Sequence, residues 1–265
     1  MLKSLNTFRW YDNLLAAFIF FTRLPFWRLR QPPKSSYAAV VEWWPLTGWL
    51  TGGAMAATLY FGSMTVPYPI AVVAAIVVRL LITGALHEDG LADFLDGFGG
   101  GGTDRQRILD IMKDSHIGTY GVIGLILYFA LLFLALLSMT PFYAALTVMV
   151  VDPYAKMLSA QLIQMMPYAR NEDTAKNHTV YRKFNVKAGI SLAIQGLLPI
   201  GLYCYYFSDK VNWQLLIFIP AIIMYFLYML IWRRLRGYTG DCCGALCLIT
   251  ELATLLVASS CLSLT

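Results

Sequence analysis

Acidic residues in the segment 87–117 are the part of this 265-residue sequence most suggestive of chemistry. The segment holds seven of the fifteen Asp and Glu residues in the chain. Asp89, Asp93 and Asp96 are spaced i, i+4 and i+7, so on a helix their carboxylates share one face within an arc of about 60°. The spacing therefore predicts a helix with one acidic face.

A second acidic face lies beyond the glycine run 99–102, where Asp110 and Asp114 repeat the i, i+4 spacing. Two helical segments joined by a flexible glycine hinge can fold back so that both faces converge. Because like charges repel, convergence favours a positive ion between them. Carboxylate oxygens suit Mg²⁺, which usually retains waters and shares its coordination shell with substrate phosphates. The alternative is a solvated acidic loop, although apolar residues interleave with the acids on both sides of the glycines.

Basic side chains accompany these acids. Arg105, Arg107 and Lys113 could neutralise phosphate oxygens, or they could serve only as the positive charges that orient the chain in a membrane. Both interpretations stay open. The glycine run itself lacks the Lys-Ser/Thr pair of a P-loop and follows no predicted strand. The candidate phosphate contacts are therefore the three basic residues.

Another candidate binding feature lies near the C-terminus, in the segment 236–245. Its glycines, Gly240 among them, would let a backbone or a ligand approach closely. Asp241 is well placed to cap the N-terminus of the following helix, a role that competes with a direct part in chemistry. We expect Gly240 and Asp241 to contribute to binding.

Composition places these residues in a membrane protein. Apolar residues make up 58% of the chain and charged residues 13%, and the mean hydropathy is +0.62. These values exclude a secreted disulfide scaffold and a cytosolic nucleotide-binding domain. A nucleic-acid-binding protein is excluded because the net charge of +5 is not gathered into a basic face. Seven mostly apolar stretches are long enough to cross a bilayer: 38–64, 66–86, 118–139, 141–166, 188–208, 212–232 and 242–262. We predict an all-α, polytopic integral membrane protein with one domain over residues 1–265 and a cytoplasmic acidic loop at 87–117.

Positive charges indicate the orientation of the chain. With seven spans, 17 of the 20 Lys and Arg residues fall in loops on one side, and Lys210 alone falls in a loop on the other. The positive-inside rule then places the N-terminus in the cytoplasm and the C-terminus outside the inner (plasma) membrane. The short apolar segment 14–21 is predicted to be an uncleaved interfacial or re-entrant helix, because Arg23 and Pro25 follow it instead of a cleavage site.

Several motifs match those of one enzyme family. Residues 87–97 read His-x-Asp-Gly-Leu-Ala-Asp-x-x-Asp-Gly, and residues 111–121 read Ile-Met-Lys-Asp-Ser-x-Ile-Gly-Thr-x-Gly. The segments 21–25 and 44–48 precede these two motifs, and the segment 237–251 follows them. In this order, the five segments resemble the signature of the cobalamin (5′-phosphate) synthase family. The resemblance covers most of the chain.

This resemblance implies the last assembly step of cobalamin. α-Ribazole or its 5′-phosphate would attack the cobinamide-linked phosphate of adenosylcobinamide-GDP, and GMP would leave. Such a transfer needs a metal ion to hold the diphosphate oxygens and a carboxylate to accept the proton of the acceptor. The expected ligands of Mg²⁺ are Asp89, Asp93, Asp96 and Asp110, and the expected catalytic residues are Asp114, as general base, and His87.

Two other functions stay open from the sequence. The acidic motif is also similar to that of the CDP-alcohol phosphotransferases, except that Asp93 stands where that family has Arg. A cation transporter is the non-enzyme alternative, because ionisable residues lie inside predicted spans. A transporter would place its ligands near the bilayer midplane, often with an internal repeat, whereas these acids crowd one membrane face. We expect adenosylcobinamide-GDP, α-ribazole or its 5′-phosphate, and membrane lipid as partners, expect no nucleic acid, and leave homo-oligomer formation open.

Overall fold

The computed structural model describes Arg9, residues 11–170 and residues 181–262, and for these ranges it confirms the all-α prediction. This part of the chain forms ten α-helices and two 3₁₀ segments. The α-helices are α1 (Asp12–Phe21), α2 (Trp44–Gly62), α3 (Tyr68–Thr83), α4 (Leu86–Gly100), α5 (Arg105–Ile111), α6 (Thr119–Leu137), α7 (Pro141–Met165), α8 (Val186–Tyr206), α9 (Trp213–Leu235) and α10 (Gly240–Leu262). The 3₁₀ segments, Phe26–Arg28 and Lys34–Trp43, connect α1 to α2.

Four of these helices, α6, α8, α9 and α10, are long and apolar enough to cross a membrane. Helices α3 and α4 form a fifth candidate span together, although the chain bends by 90° between them. The described chain therefore has the helices of a multi-pass membrane protein. The prediction of seven spans is met only in part.

The remaining predicted spans are helices of a different kind. Helices α2 and α7 do not reach the hydropathy of a span, and α3 has only 16 residues. Helix α7 packs against α2, α8 and α10, and most of its length is buried. Because α2 and α7 face protein on several sides, they can carry glycine and polar residues that a lipid-facing helix excludes.

The chain turns sharply between α3 and α4. Gly84 and Ala85 both adopt left-handed backbone conformations, with φ of 66° and 56°. Glycine adopts this conformation without a steric penalty, whereas the Cβ of Ala85 makes it unfavourable by roughly 1–2 kcal/mol. The backbone N–H of Arg23 donates to the carbonyl of Ile82 at 2.6 Å, and the Arg23 side chain fills the space where a Cβ of residue 84 would lie. Beyond the turn, the connection 87–117 begins with helix α4, which confirms the helix that the spacing of Asp89, Asp93 and Asp96 predicts.

Helices α2 and α7 are in close backbone contact. A Cβ at Gly48 would lie 2.8 Å from the backbone nitrogen of Pro153, and a Cβ at Gly52 would lie 2.9 Å from the carbonyl oxygen of Val148. Neither neighbour is a flexible side chain that can move aside. The two glycines therefore set the distance between the helices, as small residues do in other membrane bundles.

We expect Gly48→Ala to lower the free energy of unfolding by about 1–3 kcal/mol, because the added methyl group pushes two backbones apart. Thermal or denaturant unfolding of the purified protein in detergent measures the change. Gly53→Ala on the same helix is the matched control, since a Cβ there meets nothing within 4 Å. Equal stability of the two variants would contradict this account of the α2–α7 contact.

A cluster of charged side chains is buried inside the bundle. Arg79 donates to Glu251 at 2.6 Å and to the hydroxyl of Tyr128 at 2.7 Å, and it lies 3.4 Å from Glu88. Each of these residues is 4% exposed or less. The cluster thereby joins α3, α4, α6 and α10.

A second buried ion pair joins Asp152 and Lys156, which lie one turn apart on α7. Thr51 of α2 donates to Asp152 at 2.5 Å. The pair borders the same small void, of about 10 Å³, as the cluster around Arg79. The two groups therefore form one polar layer that connects α2, α3, α4, α6, α7 and α10.

Candidate active site

A cavity of about 150 Å³ lies where α1, α2, α4, α7 and α10 meet the segment that follows α7. Much of its lining is apolar or aromatic and comes from Phe20, Phe21, Val41, Trp44, Leu86 and Ile163. Charged lining comes from Asp89 on α4, Asp241 on α10 and Arg170 after α7. Ligand sites are typically concave and mostly apolar, with a few convergent polar groups. The cavity is therefore the candidate active site.

Close packing of α4 against α10 assembles the acidic part of the cavity. A Cβ at Gly90 would lie 3.2 Å from the Cα of Asp241, and a Cβ at Gly244 would lie 3.3 Å from the carbonyl oxygen of His87. Only small residues allow so short a separation. The contact brings Asp89 and Asp241, which are far apart in the sequence, to the same cavity.

The N-terminus of α10 borders the cavity as well. The hydroxyl of Thr239 accepts a hydrogen bond from the backbone N–H of Cys242 at 3.2 Å, so Thr239 caps the helix. The prediction that Asp241 is the cap was wrong, because the helix begins at Gly240 and Asp241 lies in its first turn. A Cβ at Gly240 would meet open space. The positively polarised end of α10 is therefore open to a ligand.

The segment after α7 is held beside the start of α10 by backbone pairing. The N–H of Ala169 donates to the carbonyl of Tyr238 at 2.8 Å, and the N–H of Tyr238 donates to the carbonyl of Pro167 at 2.9 Å. This pairing places Arg170 at the cavity, where its guanidinium also donates to the carbonyl of Leu109 at 3.0 Å. Sequence reasoning missed Arg170, because no local motif separates it from the charges that orient the chain.

His87, one of the predicted catalytic residues, borders both the cavity and the buried polar layer. Its ring stacks on that of Trp44, with centroids 5.7 Å apart and planes at 8°, and Trp44 stacks in turn on Phe21 at 5.1 Å. Nε2 of His87 and Nε1 of Trp44 are buried with no hydrogen-bond partner in the described chain. Since buried polar atoms are normally satisfied, a water or a ligand atom is the expected partner.

Asp96 stabilises the start of α6. Its buried carboxylate accepts hydrogen bonds from the backbone N–H groups of Gly118, at 2.7 Å, and Gly121, at 2.8 Å. A Cβ at either glycine would lie 2.6 Å or less from this carboxylate, so a larger residue would displace it. A carboxylate at a helix N-terminus is stabilised by the helix dipole. The spacing of the aspartates did not reveal this role, which depends on α6 folding back against α4.

The structure does not bring the four predicted metal ligands into one group. Asp89 is exposed and Asp93 half-buried on α4, whereas Asp110 is exposed on α5 and accepts a hydrogen bond from Gln106 at 2.9 Å. Among the residues that the structure describes, no three His, Cys, Asp or Glu side chains form a group that could hold a metal ion. The predicted glycine break between two helical segments is present, but the two acidic faces do not converge into such a group.

Asp114, the predicted general base, lies in the exposed connection between α5 and α6. The ring nitrogen of His116 lies 2.7 Å from its Oδ1, and the backbone N–H of His116 donates to the same oxygen at 3.0 Å. These hydrogen bonds, first that of the ring, lower the pKa of the Asp114 carboxyl below its ordinary value. Asp114 does not line the cavity.

The three predicted phosphate contacts lie on or near α5, outside the cavity lining. Arg105 donates to the carbonyl oxygens of Leu235, at 2.7 Å, and Ala169, at 2.5 Å, and so ties α5 to the end of α9. Arg107 and Lys113 are exposed. Of the Lys and Arg residues in the described chain, Arg170 is the one that lines the cavity.

The candidate membrane spans define a polytopic helical membrane protein. Its cavity, with carboxylates, a guanidinium and a helix N-terminus, is a site suited to a phosphorylated ligand. The chain belongs to the cobalamin-5-phosphate synthase family, whose model matches residues 13–259. The match confirms the resemblance inferred from the motifs and covers every residue that lines the cavity.

Curated relatives match nearly the whole chain. Adenosylcobinamide-GDP ribazoletransferase of Leptospira interrogans is 32% identical over 246 residues, which cover 91% of this chain and 92% of the relative. The protein of the same name from Ralstonia nicotianae is 36% identical over 252 residues, which cover 92% and 93% of the two chains. That of Vibrio vulnificus is 33% identical over 249 residues, or 93% and 95%. No solved structure matches the chain.

Proposed function

We propose that the chain acts as an adenosylcobinamide-GDP ribazoletransferase, the enzyme of the final cobalamin assembly step, and that the reaction takes place at this cavity. The observation that carries the placement is the meeting of Asp89 and Asp241 at one cavity. These residues come from the motifs 87–97 and 237–251, which lie in different halves of the sequence. The relatives that bear this enzyme name support the activity.

In this reaction a hydroxyl of α-ribazole or its 5′-phosphate attacks the phosphorus linked to cobinamide. The P–O bond to the acceptor forms, the P–O bond to GMP breaks, and the hydroxyl proton passes to a base. The approach of the nucleophile requires the negative charge of the diphosphate to be neutralised. Arg170 and the N-terminus of α10, at Gly240, supply positive potential at the cavity.

The carboxylates of the cavity fit Mg²⁺. Asp89 and Asp241 offer the hard oxygen ligands that Mg²⁺ prefers, and this ion is usually bound by only one or two carboxylates together with waters and substrate phosphates. We assign Asp89 and Asp241 to the ion, with Asp93 beside Asp89 on α4. When bound, the ion would neutralise the diphosphate and stabilise the leaving GMP. Asp96 caps α6 and Asp110 lies outside the cavity, so neither belongs to this smaller set.

His87 is the proposed base. It lines the cavity, and its Nε2 has no partner in the described chain. A neutral imidazole within reach of the acceptor hydroxyl can take its proton. Asp114 lies outside the cavity lining, and its assignment as general base stays a prediction.

We propose that α2, α3 and α7 cross the membrane together with the four apolar helices, which gives seven spans, and that α1 lies at the interface. We place these spans in the inner (plasma) membrane with the N-terminus in the cytoplasm. In this orientation 17 of the 20 Lys and Arg residues lie on the cytoplasmic side. The start of α10 and Arg170 then lie on the cytoplasmic side. This is the side on which soluble nucleotides and nucleosides are available.

An assay in membranes tests the proposed function. With adenosylcobinamide-GDP, α-ribazole and Mg²⁺, we expect release of GMP; chelation of divalent ions should lower the rate about a hundredfold or more, and Mg²⁺ should restore it. Membranes without the protein are the control. GMP release that is unchanged by chelation would contradict the metal assignment.

The same assay separates the alternatives. A CDP-alcohol phosphotransferase would ignore the corrinoid substrate, and a cation transporter would release no nucleotide from it. Absence of corrinoid-dependent GMP release from folded, membrane-inserted protein would overturn the proposed function.

A further inference from the structure

We infer that the aromatic part of the cavity binds the flat base of the nucleoside acceptor and thereby selects α-ribazole. This inference rests on the proposed function, since it names the acceptor's binding subsite at the same cavity. It goes further because it assigns recognition of the acceptor to Phe20, Phe21, Trp44 and Tyr181, which lie outside the acidic motif.

The first support is the arrangement of rings. Phe21, Trp44 and His87 form a parallel stack, with interplanar angles of 8° to 11° for its three pairs. Phe20 and Tyr181 form an edge-to-face pair with centroids 6.0 Å apart. All five rings line the cavity. Aromatic side chains in such number favour a flat ligand, because stacking is available to any planar ring.

The second support is size. The cavity has a volume of about 150 Å³, and a void of about 150 Å³ in another protein accommodates benzene. A cavity of this size fits a small ring system and excludes a corrin macrocycle. The corrinoid must therefore lie elsewhere, and the ligand of the cavity is one of the two nucleoside bases in the reaction.

The third support is the chemistry of the lining, which distinguishes the two bases. Guanine presents several donors and acceptors around its edge, and burying them without partners is costly. Val41, Leu86 and Ile163 offer no side-chain hydrogen bond. The base of α-ribazole is a methylated benzimidazole with an apolar edge and only two ring nitrogens. The part of the cavity that these three residues line suits this base and leaves the polar edge of guanine without partners.

The fourth support is a pair of unpartnered nitrogens. Nε1 of Trp44 and Nε2 of His87 belong to residues of the cavity lining that are 2% and 5% exposed, and neither atom has a hydrogen-bond partner in the described chain. An indole N–H can only donate. The one ring nitrogen of the base that does not carry the ribose would accept a hydrogen bond from the Trp44 indole, and Nε2 of His87 would remain for the acceptor hydroxyl.

Steady-state kinetics with each substrate varied in turn test the inference. We expect Tyr181→Ala to raise the KM for α-ribazole about tenfold, as the loss of a stacking face predicts, and to leave the KM for adenosylcobinamide-GDP within about twofold of that of the unaltered protein. Tyr181→Phe should retain the low KM for α-ribazole.

Phe20→Leu, which keeps the apolar volume but removes the ring, provides a second variant should Tyr181→Ala fail to fold. Tyr205→Ala, at a residue 76% exposed on α8, is the control and should change neither constant.

Calorimetric titration of the unaltered protein with α-ribazole, without the corrinoid donor, gives a readout that does not depend on turnover. Saturable binding that Tyr181→Ala weakens supports the inference. A higher KM for the donor alone, or for both substrates equally, overturns it, as does an unchanged KM for α-ribazole. If the unaltered protein binds α-ribazole but releases no GMP, the proposed function fails and the base-binding site stands. If the unaltered protein releases GMP and the aromatic variants have no effect on the KM for α-ribazole, the proposed function stands and the base-binding site fails.

Discussion

Asp89→Asn is expected to lower kcat for GMP release on the order of a thousandfold while the protein stays folded and inserted. Asparagine preserves the shape of the side chain but removes the negative charge that a divalent ion requires. Because Asp89 is exposed on α4, the change removes no buried contact and should leave stability unaltered. GMP release in membranes, normalised to the amount of inserted protein, measures the effect.

Two matched variants sharpen this test. Asp209→Asn changes an exposed aspartate between α8 and α9, away from the cavity, and should retain full activity. Asp110→Asn distinguishes a site formed by all four predicted aspartates from the smaller set at the cavity. If Asp110→Asn reduces activity as strongly as Asp89→Asn, the four-ligand prediction is right and the smaller set is wrong. Full activity of Asp89→Asn would exclude both.

Arg79→Met is expected to lower the free energy of unfolding by about 3–5 kcal/mol, the largest effect on stability that we predict. Removal of one partner from a buried ion pair leaves the other charge without compensation. Here it would leave Glu251 and Glu88 buried together without their shared guanidinium, and Tyr128 without its donor. Unfolding in detergent, followed by circular dichroism, measures the change.

Removal of charge from the partner should restore much of this loss. We expect the double variant Arg79→Met with Glu251→Gln to recover about half of the lost stability, since fewer buried charges then remain unpaired. Arg233→Met, at an exposed position in the last turn of α9, is the control and should change stability by less than about 0.5 kcal/mol. A loss in the double variant as large as the sum of the single losses would show that the ions do not stabilise one another.

Features that depend on local spacing could be predicted from the sequence. The apolar stretches of α6, α8, α9 and α10 are evident because length and hydropathy are properties of a continuous segment. The acidic face of α4 and the Asp152–Lys156 pair follow from helical periodicity, which places residues four apart on one side. The motifs that identify the family are also local, since each lies within about fifteen residues of sequence.

Features that depend on contacts between distant segments could not be predicted. No local pattern shows that Asp96 caps α6, that Arg170 reaches the cavity or that Trp44 stacks on His87. The direction of α4 also depends on the 90° turn at Gly84 and Ala85, which lies inside the predicted span 66–86 and which hydropathy does not show.

The sequence by itself therefore determined the four long apolar helices, the membrane setting, the family and the inventory of acids. The tertiary structure decided which acids share a cavity: Asp89 meets Asp241 only because Gly90 and Gly244 let α4 and α10 pack closely. Helical periodicity acts over a few residues, whereas the position of one helix against another depends on packing between side chains far apart in the chain. For that reason the chemical groups were evident from the sequence, and their grouping was not.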